Sequence, residues 1–411
     1  MEHTASKPHL NLVSPEARLD PVPIYDALRE QDPVHWSDAV GGWIITRYDD
    51  VMNCLRDSRL SVNRASFYER QFDGLGPELL QDFLRIVQRQ MSSVDGIEHL
   101  RLRRHANPGF SPQELDVWRP AVRRIVERLL EGKRERGSMD VVGELAYELP
   151  TLVMAEMMGL PGEDCGQLEK WSDPLTLIAD PVVGKEPATV AREATEALRA
   201  VHAYLTRAIA ERRNTPGYDL IRRMIQAQEG GAMNQDELVA NLALFVISGH
   251  LTTTDQLSNG VHALLTNPDQ LRKLRENPAL VRSAVEEIIR YDPAQPFTLR
   301  VALETFQLRG RTINKGDLLY LGMAAANRDP QVFPEPERFD ITRPHMHQKH
   351  IGFGFGAHHC LGAGLARREL EIALEILLQQ LPGLRLDERR PPRLKSHTLL
   401  FRGFESLPVQ W

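Results

Sequence analysis

The sequence predicts a mainly α-helical protein with small β-sheets, built as a single domain over residues 1–411. Three observations carry this prediction. Apolar residues recur at three- and four-residue spacing through most of residues 112–213, and one helical candidate of exceptional length fills residues 234–267. Strand-like runs of β-branched and aromatic residues are short and few, near 43–47 and 297–322. No Gly/Ser linker, low-complexity tract, charge block or repeat marks a domain boundary.

Taken in order, residues 24–30 read as a short helix and WIITRYDDV as a strand followed by a turn. ELDVWRPAVRRIVERLLEG is a helix with a glycine stop, and ATEALRAVHAYLTRAIAERR is a second long one. The longest helix starts at the capping residues 234–236 and runs to the Asn267-Pro268 stop, about 45 Å at about 1.5 Å per residue. Its middle breaks the pattern. From Ser248 to Asp255 polar and weakly helical residues stand where a core helix should be most apolar, and glycine and threonine there can open or bend the backbone ladder. Two shorter helices follow, PDQLRKLREN and PALVRSAVEEIIRYD, then strands and turns over 297–326 and the proline-rich loop NRDPQVFPEPERFDITRP. The helix after Cys360 carries Ala366, Leu370, Ala373, Leu374 and Leu377 on one face. The chain closes on SHTLLFRGFESLPVQW, a proline- and strand-like stretch.

Composition excludes several classes of function. The chain is 42% hydrophobic and 26% charged, with a formal net charge of −6, which argues against nucleic acid as a partner. The polar, proline-bearing first residues hold no apolar signal core, and nowhere do about eighteen apolar residues run together, so the expectation is a cytoplasmic protein without a membrane anchor. Three cysteines, Cys54, Cys165 and Cys360, lie far apart and offer no disulfide framework.

The chemistry concentrates in IGFGFGAHHCLGAGLARREL, residues 351–370. Cys360 stands where a glycine-rich loop enters a helix, so the helix dipole and free backbone N–H groups favour its thiolate. A small buried hydrophobe is the commoner fate of an isolated cysteine. A nucleophile would need a base and an oxyanion site, which no local signature supplies. Zinc would need ligands from His358, His359 and Cys360, whose adjacent side chains diverge. Gly352, Gly354, Gly356, Gly362 and Gly364 let the backbone approach something flat and bulky. A thiolate holding heme iron needs such an approach, with N–H groups aimed at the sulfur.

At this point FGFGAHHCLGAGLA resembles the heme-binding loop of the cytochrome P450 superfamily, of the soluble bacterial kind. The pattern F-G-x-G-x-H-x-C-x-G-x-x-L-A is met at Phe353, Gly354, Gly356, His358, Cys360, Gly362, Leu365 and Ala366. The resemblance spans nearly the whole chain in the right order, and it implies the P450 heme-thiolate fold with Cys360 on the iron of heme b. EEIIR supplies E-x-x-R as Glu287 and Arg290, similar to the family's buried structural pair, which meets an arginine from PERF, here Arg338. DGIEHLRLRRHANPGFSP is similar to the helix that carries His99 and Arg103 to the heme propionates. TLRVALET places Arg300 at another propionate-binding position, and His358 is the fourth donor. Buried carboxylates require such partners. SGHLTTTDQ resembles the oxygen-binding segment, commonly A-G-H-E-T-T, which implies that Gly249 opens the helix beside the iron and that the Thr252 hydroxyl hydrogen-bonds dioxygen and helps deliver protons. The chain departs from that pattern at Leu251, where many relatives carry Glu or Asp; water, His250, Thr253 or Asp255 stand as substitutes in the relay. A second departure is Thr305, where an acid often follows Glu304.

The implied activity is that of a monooxygenase, an oxidoreductase acting on paired donors, which inserts oxygen into a hydrophobic small molecule of secondary (natural-product) or xenobiotic metabolism. Leu251 keeps four alternatives in view: oxidative coupling, desaturation, peroxide-driven oxidation, and a non-catalytic heme-binding sensor. By resemblance the substrate lies opposite Cys360 under the long helix, walled by residues 61–93, TLIADPVV, AQPFT and SHTLLF, with Leu244, Ser248, Leu251, Phe297 and Leu400 as contacts. Phe67, Tyr68 and Phe72 suggest an apolar pocket. The chain has no flavin or iron–sulfur segment, so electrons come from a separate ferredoxin or flavodoxin with its reductase. Arg101, Arg104, Arg367 and Arg368 are the expected basic docking face for an acidic ferredoxin.

Overall fold

A computed structural model of the chain describes residues 11–411 apart from 74–77, 181–184, Pro216 and His345. The core is laid down by helices whose ends are chemically marked. Pro112–Leu130 starts behind Ser111, whose side chain accepts the Glu114 N–H, and buries Leu115, Val122, Ile125, Val126 and Leu129 at helical spacing. It packs on Ala363–Gln380 and on Glu148–Met158. The long helix is Gln235–Thr266; Asn234 and Glu237 cap its start reciprocally in a capping box. Its 32 residues reach about 48 Å. It crosses the molecule against Glu148–Met158, Cys165–Leu177, Pro187–Arg213, Val281–Tyr291 and Ala363–Gln380.

Among the described residues the strands make one larger and three small sheets. The larger runs Val34–Ser37, Gly42–Ile45, Leu318–Gly322, Phe297–Ala302, Leu60–Ser61. Gly42–Ile45 pairs in parallel with Leu318–Gly322; the other pairings are antiparallel. Leu318–Gly322 is buried on both faces, as suits a central strand covered by helices. Ser138–Asp140, Pro408–Gln410 and Arg385–Leu386 form a second sheet, and Arg393–Leu394 pairs with Phe404–Ser406 around a loop near the carboxyl terminus.

Two local expectations fail. YDDV is no turn: it opens the helix Tyr48–Arg56, with Asp49 and Asp50 in the first turn where the helix dipole favours acids. MAAA is a helical turn, Met323–Ala326. Among the described residues no helix is long and apolar enough to cross a membrane.

Candidate functional site

The loop before Cys360 is fixed by its own backbone. The Cys360 N–H donates to the Phe353 carbonyl at 2.9 Å and the Gly354 N–H to the Ile351 carbonyl at 2.9 Å. Gly354 and Gly356 take φ values of 69° and 78°, which L-residues with a Cβ rarely adopt. A Cβ on Gly352 would meet Ile289 at 2.5 Å, whereas one on Gly362 would meet no atom within 4 Å. The loop is thus pressed against the protein on one side and open on the other. Cys360 lies on the open side, exposed, unlike the buried Cys54 and Cys165. Burial within the molecule pushes its thiol up, while the Gly362 and Ala363 N–H groups and the Arg103 and Arg367 guanidiniums pull it toward thiolate. A sulfur that is accessible yet surrounded by protein stands on the wall of an internal space.

Around that space four cationic or proton-donating side chains converge, and the carboxylate nearest them is Asp95, 3.4 Å from His358 Nε2 and a minor attraction on His99 and Arg300, at hydrogen-bonding distance from neither. His99, on the helix Gly96–Ala106, is buried and stacks on His358 at 4.0 Å between ring centroids. Its Nδ1 has no hydrogen-bond partner among the described residues, and burial, with His358 and Arg103 adding repulsion, pushes its pKa down to about 4. Arg103 donates to the His359 carbonyl at 2.5 Å. Arg300, on the strand Phe297–Ala302, is buried, and among the described residues only its Nη1 finds acceptors, the Leu299 carbonyl at 2.8 Å and Thr298 Oγ1 at 3.4 Å. Burial, followed by repulsion from Arg64, pushes the Arg300 guanidinium down to about 10. His358 Nε2 lies 3.4 Å from Asp95, which also receives the Ser61 hydroxyl. An orphaned imidazole nitrogen and a buried arginine without a paired carboxylate fit a group bearing carboxylates. A flat group beside the open Gly362 and the accessible sulfur completes the fit to a heme.

The long helix supplies the facing wall. Leu244, Ile247, Ser248, Leu251 and Thr252 are partly or fully exposed in a helix otherwise buried on nearly every side. They fall at i, i+3, i+4, i+7 and i+8, one continuous stripe. An open stripe on a core helix borders an internal cavity. The helix runs as one element through Gly249. A Cβ there would meet Met154 at 3.2 Å, so Gly249 serves close packing on Glu148–Met158. The Thr252 hydroxyl donates to the Ser248 carbonyl at 2.8 Å. The relay substitutes are engaged elsewhere: His250 Nε2 is 3.0 Å from the Tyr147 carbonyl, Asp255 pairs with Lys395 at 2.6 Å, and Thr253 is buried.

Of the expected substrate contacts, Leu244, Ser248 and Leu251 lie on this stripe; Phe297 and Leu400 do not border it as open surface. Phe297 is buried, its ring edge-on to Tyr25 at 5.9 Å and beside Gly322. Leu400 is buried in the core. Phe67, Tyr68 and Phe72 are also buried, with Tyr68 packed edge-to-face against both Phe67 and Phe83. Within the expected walls, residues 74–77 and 181–184 lie outside the described residues.

Beneath the loop the ion pairs correct two further expectations. Glu287 and Arg290 are both fully buried and paired at 2.8 Å. The second arginine on Glu287 is Arg343, at 3.1 Å, and not Arg338, whose side chain turns outward to Glu335 and Asp340 while its carbonyl accepts from Arg290. The basic docking face is largely neutralised: Arg101 pairs with Glu98 and Glu237, Arg367 with Glu286, and Arg368 with Asp116. Arg104 is exposed, and its helix also presents Ile97 and Leu100, 82% and 61% exposed. Motif reading missed Arg343, Glu286 and its partner His350 at 2.6 Å, because their contacts join segments with no shared local pattern.

Fold and site together define a helical heme-thiolate oxidoreductase. The comparisons agree: the family model Cytochrome P450 matches residues 167–402. The chain is 33% identical to the polyketide biosynthesis cytochrome P450 PksS of Bacillus subtilis (strain 168), covering 100% of this chain and 99% of that one. It is 35% identical to the mycinamicin IV hydroxylase/epoxidase of Micromonospora griseorubida, covering 94% of each. The crystal structure of P450BioI in complex with hexadec-9Z-enoic acid ligated acyl carrier protein superposes with a TM-score of 0.88 at 33% identity, over 96% of this chain and 100% of that one. The chain belongs to the cytochrome P450 family, and it is a P450 monooxygenase of the bacterial type.

Proposed function

We propose that residues 1–411 work as a single domain that binds heme b, with the Cys360 sulfur on the iron and His99, Arg103, Arg300 and His358 on the propionates. The convergence of an accessible Cys360 with an orphaned His99 Nδ1 and a buried, carboxylate-free Arg300 carries this reading. A heme-thiolate bound there supplies dioxygen activation. The chain's own part is positional. Leu244, Ile247 and Leu251 offer an apolar wall for a hydrophobic small molecule of secondary or xenobiotic metabolism, and Ser248 and Thr252 are the hydroxyls on that stripe. Thr252 holds its proton toward the Ser248 carbonyl and releases it toward the oxygen side when that bond turns. Electrons come from a separate ferredoxin or flavodoxin with its reductase, in the cytoplasm.

A second reading, peroxide-driven turnover, is favoured by one observation: Leu251 leaves no carboxylate beside Thr252 on the stripe, and Asp255 is committed to Lys395. Turnover with hydrogen peroxide and no reductase would select it.

The test of the heme site is the absorption spectrum of the reduced, carbon monoxide-bound protein and of its Cys360→His variant. A red-shifted Soret band that disappears in the variant is the expected result. A histidine-type band in the unaltered protein would overturn the assignment of Cys360.

A further inference from the structure

One buried carboxylate outside the heme site ties together three segments of the expected pocket wall. Asp180 closes the end of the helix Cys165–Leu177, its N–H donating to the Leu177 carbonyl at 3.1 Å. Its side chain is 2% exposed and has no cation at pairing distance among the described residues. It accepts instead from the loop near the carboxyl terminus: the Thr398 hydroxyl, the Leu399 N–H at 2.9 Å and the Leu400 N–H at 2.7 Å. From a third direction Gln71, ending the helix Ala65–Gln71, donates its side-chain amide to the Asp180 carbonyl at 2.7 Å. The dependence is mutual. The Leu399 and Leu400 N–H groups have no other acceptor among the described residues, and the buried carboxylate has no other donors. Separation would orphan both sides.

The base of the same loop is held to the long helix. Lys395 pairs with Asp255, three residues beyond Thr252, and donates its own N–H to the Gly403 carbonyl at 3.0 Å. Gly403 lets Asp255 come close, since a Cβ would lie 2.2 Å from its carboxylate. The loop is therefore footed one helical turn from Thr252, while the Leu399 and Leu400 N–H groups at its tip are held by the Asp180 carboxylate.

We infer that Asp180 is a positioning residue that clasps the helix end, Gln71 and the 395–403 loop into one wall of the substrate pocket, and that this clasp must release for a large ligand to enter or leave. The inference rests on the proposed heme site, because the long-helix stripe is what the wall encloses.

Heme-loaded Asp180→Asn and the milder Thr398→Val, which keeps the carboxylate, test it. Two quantities are read: amide hydrogen exchange across residues 396–403, and the rates at which imidazole and the bulkier 4-phenylimidazole leave the iron, followed by the Soret shift. In Asp180→Asn the Leu399 and Leu400 amides should exchange about tenfold faster or more, and 4-phenylimidazole should leave about tenfold faster while imidazole is unchanged. Thr398→Val should show smaller changes in the same direction and decides the matter if Asp180→Asn does not fold. Unchanged exchange, or equal acceleration of both ligands, would overturn the clasp. Loss of the thiolate carbon monoxide band in the unaltered protein would overturn the heme assignment instead, and the exchange result would still stand.

Discussion

Two buried arginines, Arg290 and Arg300, stand ten positions apart in sequence and meet opposite fates. Arg290 uses all its donors: Nε and Nη2 reach Glu287 at 2.8 Å each, Nη1 reaches the Asn327 and Pro336 carbonyls, and Nη2 also reaches the Arg338 carbonyl. Arg300 satisfies Nη1 only and faces no paired carboxylate among the described residues. Burying a charge is tolerated when its partners are built in, as at Arg290, or when they arrive from outside. The frame beneath the Cys360 loop is complete in the polypeptide, whereas the inner face of the site is complete only with a ligand. Internal satisfaction marks architecture, and its absence at a buried cation marks function.

Breaking the complete side should have the largest effect. Glu287→Gln leaves Arg290 buried without a carboxylate and replaces one of the two oxygens shared by Arg290, Arg343 and the Asp340 N–H with an NH2 that faces their donors. The expected loss is about 3–5 kcal/mol, enough to abolish folded, heme-loaded protein. Soluble yield and the Soret absorbance of the purified variant check it; a normal holoprotein would contradict the architectural role.

The incomplete side should respond with effects of opposite sign in apo- and holoprotein. With its pKa lowered to about 10, Arg300 is charged at neutral pH in both the folded and the unfolded chain but is held less favourably in the fold, so without an anion it destabilises the native state at every pH below about 10. Arg300→Met should leave the apoprotein as stable or more stable, by up to about 3 kcal/mol in urea unfolding. The same variant should release heme to an acceptor globin roughly tenfold faster, because a charge-assisted contact is lost. A less stable apoprotein with unchanged heme release would show Arg300 to be architecture after all.

What could be read from the sequence follows the same division. The Cys360 loop and the Glu287–Arg290 pair are short-range patterns, so residue types at fixed spacing located them. The polar patch from Ser248 to Asp255 was visible as an anomaly, but its division into an open stripe and a buried, stitching face depends on which neighbours pack where. Asp255 goes to Lys395, and Asn259 to the Arg402 carbonyl, across about 140 positions of chain. Nothing local in TLIAD announces that Asp180 caps a turn some 218 residues away. The ion pairing of the basic docking face was illegible for the same reason: Arg101, Arg367 and Arg368 lie on two helices, while their partners Glu237, Glu286 and Asp116 come from others.

The smallest expected effect sharpens the frame itself by separating two arginines that motif reading cannot tell apart. Arg338 lies in PERF, and Arg343 lies five residues on. Arg343 is mostly buried and gives Nε to Glu287 and its Nη groups to the Pro334, Glu335 and Arg338 carbonyls, so Arg343→Ala removes a contact from each side of the cluster. It should cost about 2–3 kcal/mol. Arg338 contributes to the same cluster through its carbonyl, which Arg338→Ala retains, and the side chain lost is half-exposed. Its pairs with Glu335 and Asp340 lie in high dielectric, so the change should stay within about 0.5 kcal/mol and fade with added salt. Thermal unfolding of the two holoproteins at low and high ionic strength distinguishes them. A larger loss from Arg338→Ala would return the third member of the cluster to the PERF arginine and place the buried frame one loop earlier in the chain.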